Sequence, residues 1–355
     1  MNTWLHLPRK LSLTMGLVAF LVWTPVTALA ASIAGGASLQ IPPGARAEGM
    51  GRFFSAVADD AFAPWWNPAG LAFMRGWNAG LMHAKLVPDL ADDVYFEYLG
   101  VSKHVEGWGG VSGTFTYLNY GTSTATNPDS PDPIGEFSSF EFSPSVALGT
   151  VIVPNLGVGL NLKLLHVNLA PEEFAGGGSG SGTTFAVDVG TLYQMNRNVE
   201  SFFGSAPGIM QTSLGLMIGN LGPDISLVDE RQSDPLPRNL KVGASWGVRV
   251  PESFSLLTGV ALEKSLVSEA IPDSIADQLS FYEKNEVLLS GGVEFGFLDL
   301  AFGRLGYIYD DPGEIKGVTF GAGFHLKRFG FDFASIPQFR ELDRVTKISV
   351  VASFE

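Results

Sequence analysis

Alternation with a period of two residues constrains this chain more than any other feature. Leu240, Val242, Ala244, Trp246, Val248 and Val250 fall on one face of a run whose other face holds Lys241, Gly243, Ser245, Gly247 and Arg249. Leu156, Val158, Leu160, Leu162 and Leu164 are set in the same way against Gly157, Gly159, Asn161 and Lys163. Val318, Phe320, Ala322, Phe324 and Leu326 alternate with Thr319, Gly321, Gly323, His325 and Lys327. Successive side chains of an extended strand point to opposite faces, so these runs are strands with one apolar face and one small or polar face. Fourteen are predicted, over residues 76–86, 92–104, 108–120, 136–150, 155–168, 183–195, 211–221, 238–250, 254–265, 286–296, 298–309, 316–327, 329–335 and 345–354.

The connections say how these strands are used. With both ends of the strand array on one side, the connections after odd strands are long and turn-rich: Gly121–Gly135, Leu169–Gly182, Gly222–Pro237, Leu266–Asn285 and Ile336–Arg344. Those after even strands are very short: Val151–Pro154, Pro251–Ser253, Phe297 and Arg328. A soluble sandwich has no reason to alternate in this way, whereas bacterial membrane barrels have short periplasmic turns, long external loops and an even strand number. Trp77 and Trp108 open upward strands, and Tyr117, Tyr120, Tyr307 and Tyr309 fall near outer ends, as the interfacial girdles of a barrel require. The expected fold is an all-β transmembrane barrel of about 14 antiparallel strands. Two places depart from regularity. Asn196–Met210 is long although it lies on the short-turn side, and its Phe202-Phe203 suggests contact with a periplasmic partner. Pro144 interrupts the fourth strand, where it cannot donate to the ladder, so a bulge or a kink in the wall is expected there.

The start of the chain reads as an export signal. Arg9 and Lys10 precede the apolar stretch Leu11–Trp23, and Ala28-Leu29-Ala30 forms a cleavage box, which predicts cleavage before Ala31. A retained anchor is the alternative, for which the stretch is short. Removing residues 1–30 leaves 20 Lys and Arg against 36 Asp and Glu, a net charge of −16. Nucleic acid requires basic patches and is excluded as a partner. Cysteine is absent, so there is no disulfide, thiolate metal site or thiol nucleophile.

Between the signal and the first strand lies Gly44–Ala72, GARAEGMGRFFSAVADDAFAPWWNPAGLA. It is rich in Ala and Gly, including Gly49, Gly51, Ala69 and Gly70, and carries Arg46, Glu48, Asp59 and Asp60. Asn67 is a favoured helix N-cap, and Pro68 suits the first position of the turn that follows. Eight strands leave an interior that side chains fill, whereas sixteen to eighteen leave a water channel. A barrel of fourteen needs an occupant, and residues 31–75 are expected to be a plug, or hatch, of short helices and turns inside a barrel of residues 76–355. Its charges would need partners in the lumen. Asp188 and Glu294 are candidates for Arg46, and Lys163, Lys241 or Lys347 for the acids. A flexible periplasmic extension is the alternative.

The same stretch resembles the N-terminal signature of the PorV/PorQ family of outer-membrane proteins, within the wider FadL-like barrels. The resemblance is carried by Ala45-Arg46-Ala47-Glu48-Gly49-Met50-Gly51, by Ala56-Val57-Ala58-Asp59-Asp60-Ala61 and by Trp66 to Ala72. Phe62 stands where the family usually has a small polar residue. Asn220-Leu221-Gly222-Pro223, Pro235 to Asn239 and Thr319 to Phe324 extend it over most of the mature chain. It implies a fourteen-stranded barrel in the cell outer membrane, in contact with outer-membrane lipid. FadL-like relatives imply passive transport of hydrophobic small molecules, with capture near the external loops, a movable plug and release through a gap in the wall. PorV-like members imply a component of type IX secretion that binds or shuttles exported proteins at the cell surface. A barrel with a structural role alone is a third reading, against which the elaborate plug weighs.

Phe62, Trp65 and Trp66 give the plug an aromatic patch that would either touch an apolar ligand or pack against the barrel wall. The acidic loops Asp224–Asp234 and Glu269–Glu283 suit protein or cation contacts better than capture of an anionic lipid. His83, His104, His166 and His325 lie on separate strands without metal-ligand spacing. Gly176–Gly182 lacks the Lys-Ser/Thr ending of a phosphate loop, and Asp310, Asp311 and Glu314 read as a solvated turn. No Gly-x-Ser-x-Gly elbow is present. Neither an enzyme nor a cofactor or metal is expected.

Overall fold

In the computed structural model, residues 35–354 are described apart from residues 89, 128–129, 172–179, 201–205, 228–232, 268–286, 312 and 339–341. The export signal, most of the Gly-rich loop, Phe202-Phe203 and the loop Glu269–Glu283 lie outside the described residues.

The strands, in chain order, are β1 (Trp77–Lys85), β2 (Val94–Val105), β3 (Gly109–Asn127), β4 (Ser130–Val153), β5 (Leu156–Asn168), β6 (Ser181–Val199), β7 (Gly208–Leu221), β8 (Ile225–Ser226), β9 (Ser233–Asp234), β10 (Asn239–Val250), β11 (Phe254–Ser265), β12 (Val287–Phe297), β13 (Ala301–Asp310), β14 (Ile315–Leu326), β15 (Phe329–Ile336) and β16 (Val345–Phe354). β8 and β9 form a small separate hairpin. The other fourteen close a barrel in which each strand pairs antiparallel with its neighbours and β16 returns to β1. The closing register sets Trp77 against Phe354 and Ala84 against Lys347.

Burial follows the alternation of the sequence. Leu162, Val242 and Phe320 are exposed on the outer face, and Asn161, Lys241 and Thr319 are buried on the inner one. The outer face presents Leu81, Val146, Phe185, Leu214, Val260, Phe295, Phe331 and Ile348, each at least 50% exposed. In water such a surface would associate; around a barrel it is the band that meets lipid. Turns at one end are tight. Asn155 in the β4–β5 turn and Lys327 in the β14–β15 turn take φ of 70° and 56°.

Several boundaries differ from the sequence reading. β3 and β4 run on past residues 120 and 136 to pair Thr122 with Ser138 and Ala125 with Gly135, so most of the Gly121–Gly135 loop is a hairpin extending beyond the barrel. Its Thr- and Ser-rich strands lack an apolar face, which is why alternation did not reveal them. The Asn196–Met210 connection shrinks likewise, because β6 and β7 pair as far as Val199 with Gly208. Phe297 does not by itself join β12 to β13. The turn takes Leu298, Asp299 and Leu300, with positive φ at the first two. Pro144 causes no bulge. The β4–β5 register is the same at Phe142–His166 and Ser145–Lys163, but the two intervening rungs, at Ser143 and Pro144, are missing. The irregularity expected there lies between Val151 and Val153.

Candidate functional site

The segment before β1 lies within the barrel. It consists of a 3-10 turn Ala37–Leu39, helix α1 (Ala45–Gly49), a 3-10 turn Phe53–Ala56, helix α2 (Ala63–Trp66) and a 3-10 turn Pro68–Ala72. It enters at the end of the lumen that carries the long loops. Gly35 N–H donates to the Pro235 carbonyl at 2.9 Å. Glu141 on β4 accepts from the Ala37 and Ser38 amides at 3.2 and 2.8 Å and from the Tyr120 hydroxyl at 2.5 Å. Leu39 packs with Leu165, Val167, Ala186, Ile225 and Leu236. The segment leaves at the turn end, where Arg75 leads into β1.

The plug sits directly on wall backbone, with glycines where the two surfaces touch. A Cβ added at Gly110 would lie 2.1 Å from the Leu71 carbonyl oxygen, at Gly159 2.2 Å from the Pro68 carbonyl carbon, and at Gly215 2.1 Å from the Ser55 carbonyl oxygen. At Gly292 it would meet the Met50 carbonyl oxygen at 2.3 Å, and at Gly306 the Gly51 nitrogen at 2.3 Å. The fit is reciprocal at Gly51, where a Cβ would lie 2.4 Å from the Gly291 carbonyl oxygen and φ is +78°. Real side chains tolerate none of these distances, so the seat requires glycine on both sides.

Asn67 caps the last turn as expected. Its Oδ1 accepts from the Ala69 amide at 3.1 Å, while its Nδ2 donates to the carbonyls of Ser55 at 2.9 Å and Thr191 on β6 at 3.0 Å. One fully buried side chain thus ties two parts of the plug to the wall. Pro68, Ala69 and Gly70 follow it in the turn and are buried. Further bonds to the wall run from Ala45 N–H to Ser349 Oγ at 2.8 Å and from Thr319 Oγ1 to the Gly49 carbonyl at 3.1 Å.

The charges form two groups. Toward the turn end, Arg46 Nε and Nη2 each lie 2.9 Å from a Glu294 oxygen, and its Nη1 reaches Asp59 and, at 4.0 Å, Asp60. Glu294 also accepts from Arg304 at 2.6 Å, and Arg304 reaches Asp332 at 2.6 Å. Toward the loop end, fully buried Glu48 accepts from Arg52 at 2.8 Å and Lys347 at 2.6 Å. The pairings expected for Arg46 with Glu294 and for an acid with Lys347 are present. Those expected for Asp188, Lys163 and Lys241 are not: Lys163 binds Asp188 at 2.7 Å within the wall. The ammonium of Lys241 stands 3.5 Å from the centre of the Trp65 ring. Inward-facing position is readable from alternation, but height in the lumen depends on strand stagger, which the sequence does not show.

Phe62, Trp65 and Trp66 come together between plug and wall and are 1%, 6% and 1% exposed. Phe62 lies 5.1 Å from Tyr98, and Trp65 and Trp66 meet edge to face at 4.7 Å. Trp66 Nε1 donates to the Pro43 carbonyl at 2.9 Å. Among the described residues no group of three metal-ligating side chains converges. Sequence reasoning missed Glu141 and the glycine seat. The glycines were in view on inner faces, as at Gly159 and Gly243, but only the path of the plug gives them a purpose.

Comparison with known proteins agrees with this architecture. The family model for the type IX secretion system protein PorV matches residues 30–272. No curated protein matches the sequence significantly. Among solved structures, the toluene transporter TodX of Pseudomonas putida superposes with a TM-score of 0.50 at 12% identity, covering 88% of this chain and 99% of that one. The Ralstonia pickettii toluene transporter TbuX gives 0.45 at 12% identity, over 88% and 98%. At such identity the likeness to TodX speaks for the fold. The chain belongs to the PorV family and is an outer-membrane barrel of fourteen strands with an N-terminal plug.

Proposed function

We propose that this barrel passes hydrophobic small molecules across the outer membrane without an energy source. One observation carries the reading: apolar side chains line part of the lumen near the loop end, beside the paired charges of Glu48, Arg52 and Lys347. Ala84, Phe96, Leu118, Leu165, Ile308 and Ala334 point inward at the upper ends of their strands and are at most 1% exposed. A channel for polar solutes has a polar interior. These side chains pack against the plug, so an apolar ligand entering between the loops reaches them when the upper plug yields, gaining about 25 cal/mol for each Å² it then buries.

The close seat of the plug argues for a sideways exit. The two missing rungs at Ser143 and Pro144 lie beside Phe142, which stacks with Phe115 and Phe140 on the outer face. A molecule leaving between β4 and β5 would enter lipid without crossing the plug. Direct ligand contact by Phe62, Trp65 or Trp66 would require the plug to shift, since all three are packed. Export by cleavage before Ala31 belongs to the same reading, as does the absence of catalysis.

The test is uptake of a radiolabelled aromatic hydrocarbon by lipopolysaccharide-bearing cells that lack their own transporter. Expression should raise uptake several-fold, and L118D should abolish the gain while leaving the barrel inserted. Uptake equal to that of cells without the barrel would refute transport. Family membership favours a second reading, in which the loop end binds exported proteins of type IX secretion. Co-purification of such proteins at fixed stoichiometry, with no hydrocarbon uptake, would select it.

A further inference from the structure

One rung of the barrel sets Ala84, Phe96, Leu118, Glu141 and Val167 side by side on the inner face, from β1 to β5. All of them are at most 2% exposed. A carboxylate in such an apolar row is costly unless donors meet its oxygens. Glu141 accepts from the amides of Ala37 and Ser38 and from the hydroxyl of Tyr120. No Lys or Arg is among these partners, and the cation of the same rung, Lys347 on β16, is held by Glu48. The turn Ala37–Leu39 therefore sits on Glu141 as a ligand would. Its amides supply the donors, and Leu39 supplies an apolar body that packs on Leu165, Val167 and Ile225. The fit is imperfect, because the Ser38 hydroxyl is buried there without a hydrogen-bond partner among the described residues.

A molecule that reaches the apolar lining displaces this turn and inherits its contacts. A plain hydrocarbon leaves the Glu141 oxygens short of two donors in a place closed to water. A molecule with an O–H or N–H group restores one of them. A carboxylate brings a second negative charge against the first. A site built to hydrogen-bond a polar group discriminates strongly against the analogue that lacks it. We propose that Glu141 selects the ligand by its head: the barrel takes apolar molecules that carry a hydrogen-bond donor, phenols and alcohols above all, and rejects anionic amphiphiles such as fatty acids. This rests on the transport reading and narrows it to a substrate class, with Glu141 and Tyr120 as the residues that determine specificity.

The test measures equilibrium binding of radiolabelled p-cresol, toluene and p-toluate to the full chain in lipid nanodiscs, with binding to empty nanodiscs subtracted. The three probes share a ring and a methyl group and differ in the group that meets Glu141. Moving the turn costs the same for each, so ratios of affinity isolate the head group. p-Cresol should bind about tenfold more tightly than toluene, and p-toluate about tenfold more weakly. E141Q keeps the shape of the side chain and removes its charge, so both ratios should move toward one, with p-toluate gaining most. Equal affinity of p-cresol and toluene for the wild type, or ratios that E141Q leaves unchanged, would overturn the selection and leave transport standing. Binding of none of the three would overturn both.

Discussion

The seat of the plug can be tested at a single atom. In G159A the new methyl carbon would stand 2.2 Å from the Pro68 carbonyl carbon and 2.3 Å from the Ala69 nitrogen. Ordinary contact begins near 3.4 Å. The turn Pro68–Ala72 must then retreat by more than 1 Å, and β5 cannot move away because it is paired on both sides. Overpacking of this kind costs about 1–3 kcal/mol. The retreat also breaks the hydrogen bonds of Asn67 to Ser55 and Thr191, at about 1 kcal/mol each. The seated state should lose about 3–5 kcal/mol, which raises the unseated population roughly 10²- to 10⁴-fold. Arg46 and Arg52, 17% and 14% exposed in the seated plug, become accessible in the unseated one. Trypsin cleavage there should accelerate accordingly, while the heat-dependent gel shift of the barrel stays normal. G303A is the control, since a Cβ at that outward position meets nothing within 4 Å. Equal protease resistance of G159A and wild type would refute the close seat.

Three further perturbations follow from the contacts. R46A leaves Asp59 and Asp60 without their cation and should destabilise the plug by about 3 kcal/mol, read as faster cleavage at Arg52. E141A removes the acceptor of two backbone amides and the Tyr120 hydroxyl. Hydrogen exchange at Ala37–Leu39 should then rise at least tenfold, with that of Asn67–Ala72 unchanged. Asp60 is pushed from 3.8 up to about 7, chiefly by burial and further by Asp59, against the pull of Arg46. Between those two pH values the folded chain holds a proton that the unfolded chain has released. Stability from this group is therefore full below pH 3.8 and falls by up to about 1.4 kcal/mol per pH unit as pH rises toward 7. D60N should thus raise the thermal midpoint of plug release at pH 8 and leave it nearly unchanged at pH 4.

Much of the barrel was legible because membrane strands obey two local rules, alternation and unequal connection lengths. Leu156–Leu164 and Leu240–Val250 declare both their faces without knowledge of any neighbour. The β3–β4 extension broke the first rule, since Thr122, Ser123 and Thr124 have no apolar partners to alternate with, and only pairing identifies them as strand. Asn67 was legible because capping is local. Glu141 was not, because its partners Ala37 and Ser38 lie more than a hundred residues away. Among the charges, Lys347 found Glu48 whereas Lys241 found an aromatic ring. Face assignment treats both lysines alike, and only the stagger of the barrel separates them.

Native mass spectrometry of the protein released gently from its own outer membrane tests the central claim most directly. The account predicts a retained apolar adduct of low mass on the barrel, which disappears in L118D although the fold persists. Exported proteins bound at fixed stoichiometry, with no small apolar adduct on any fraction, would contradict it.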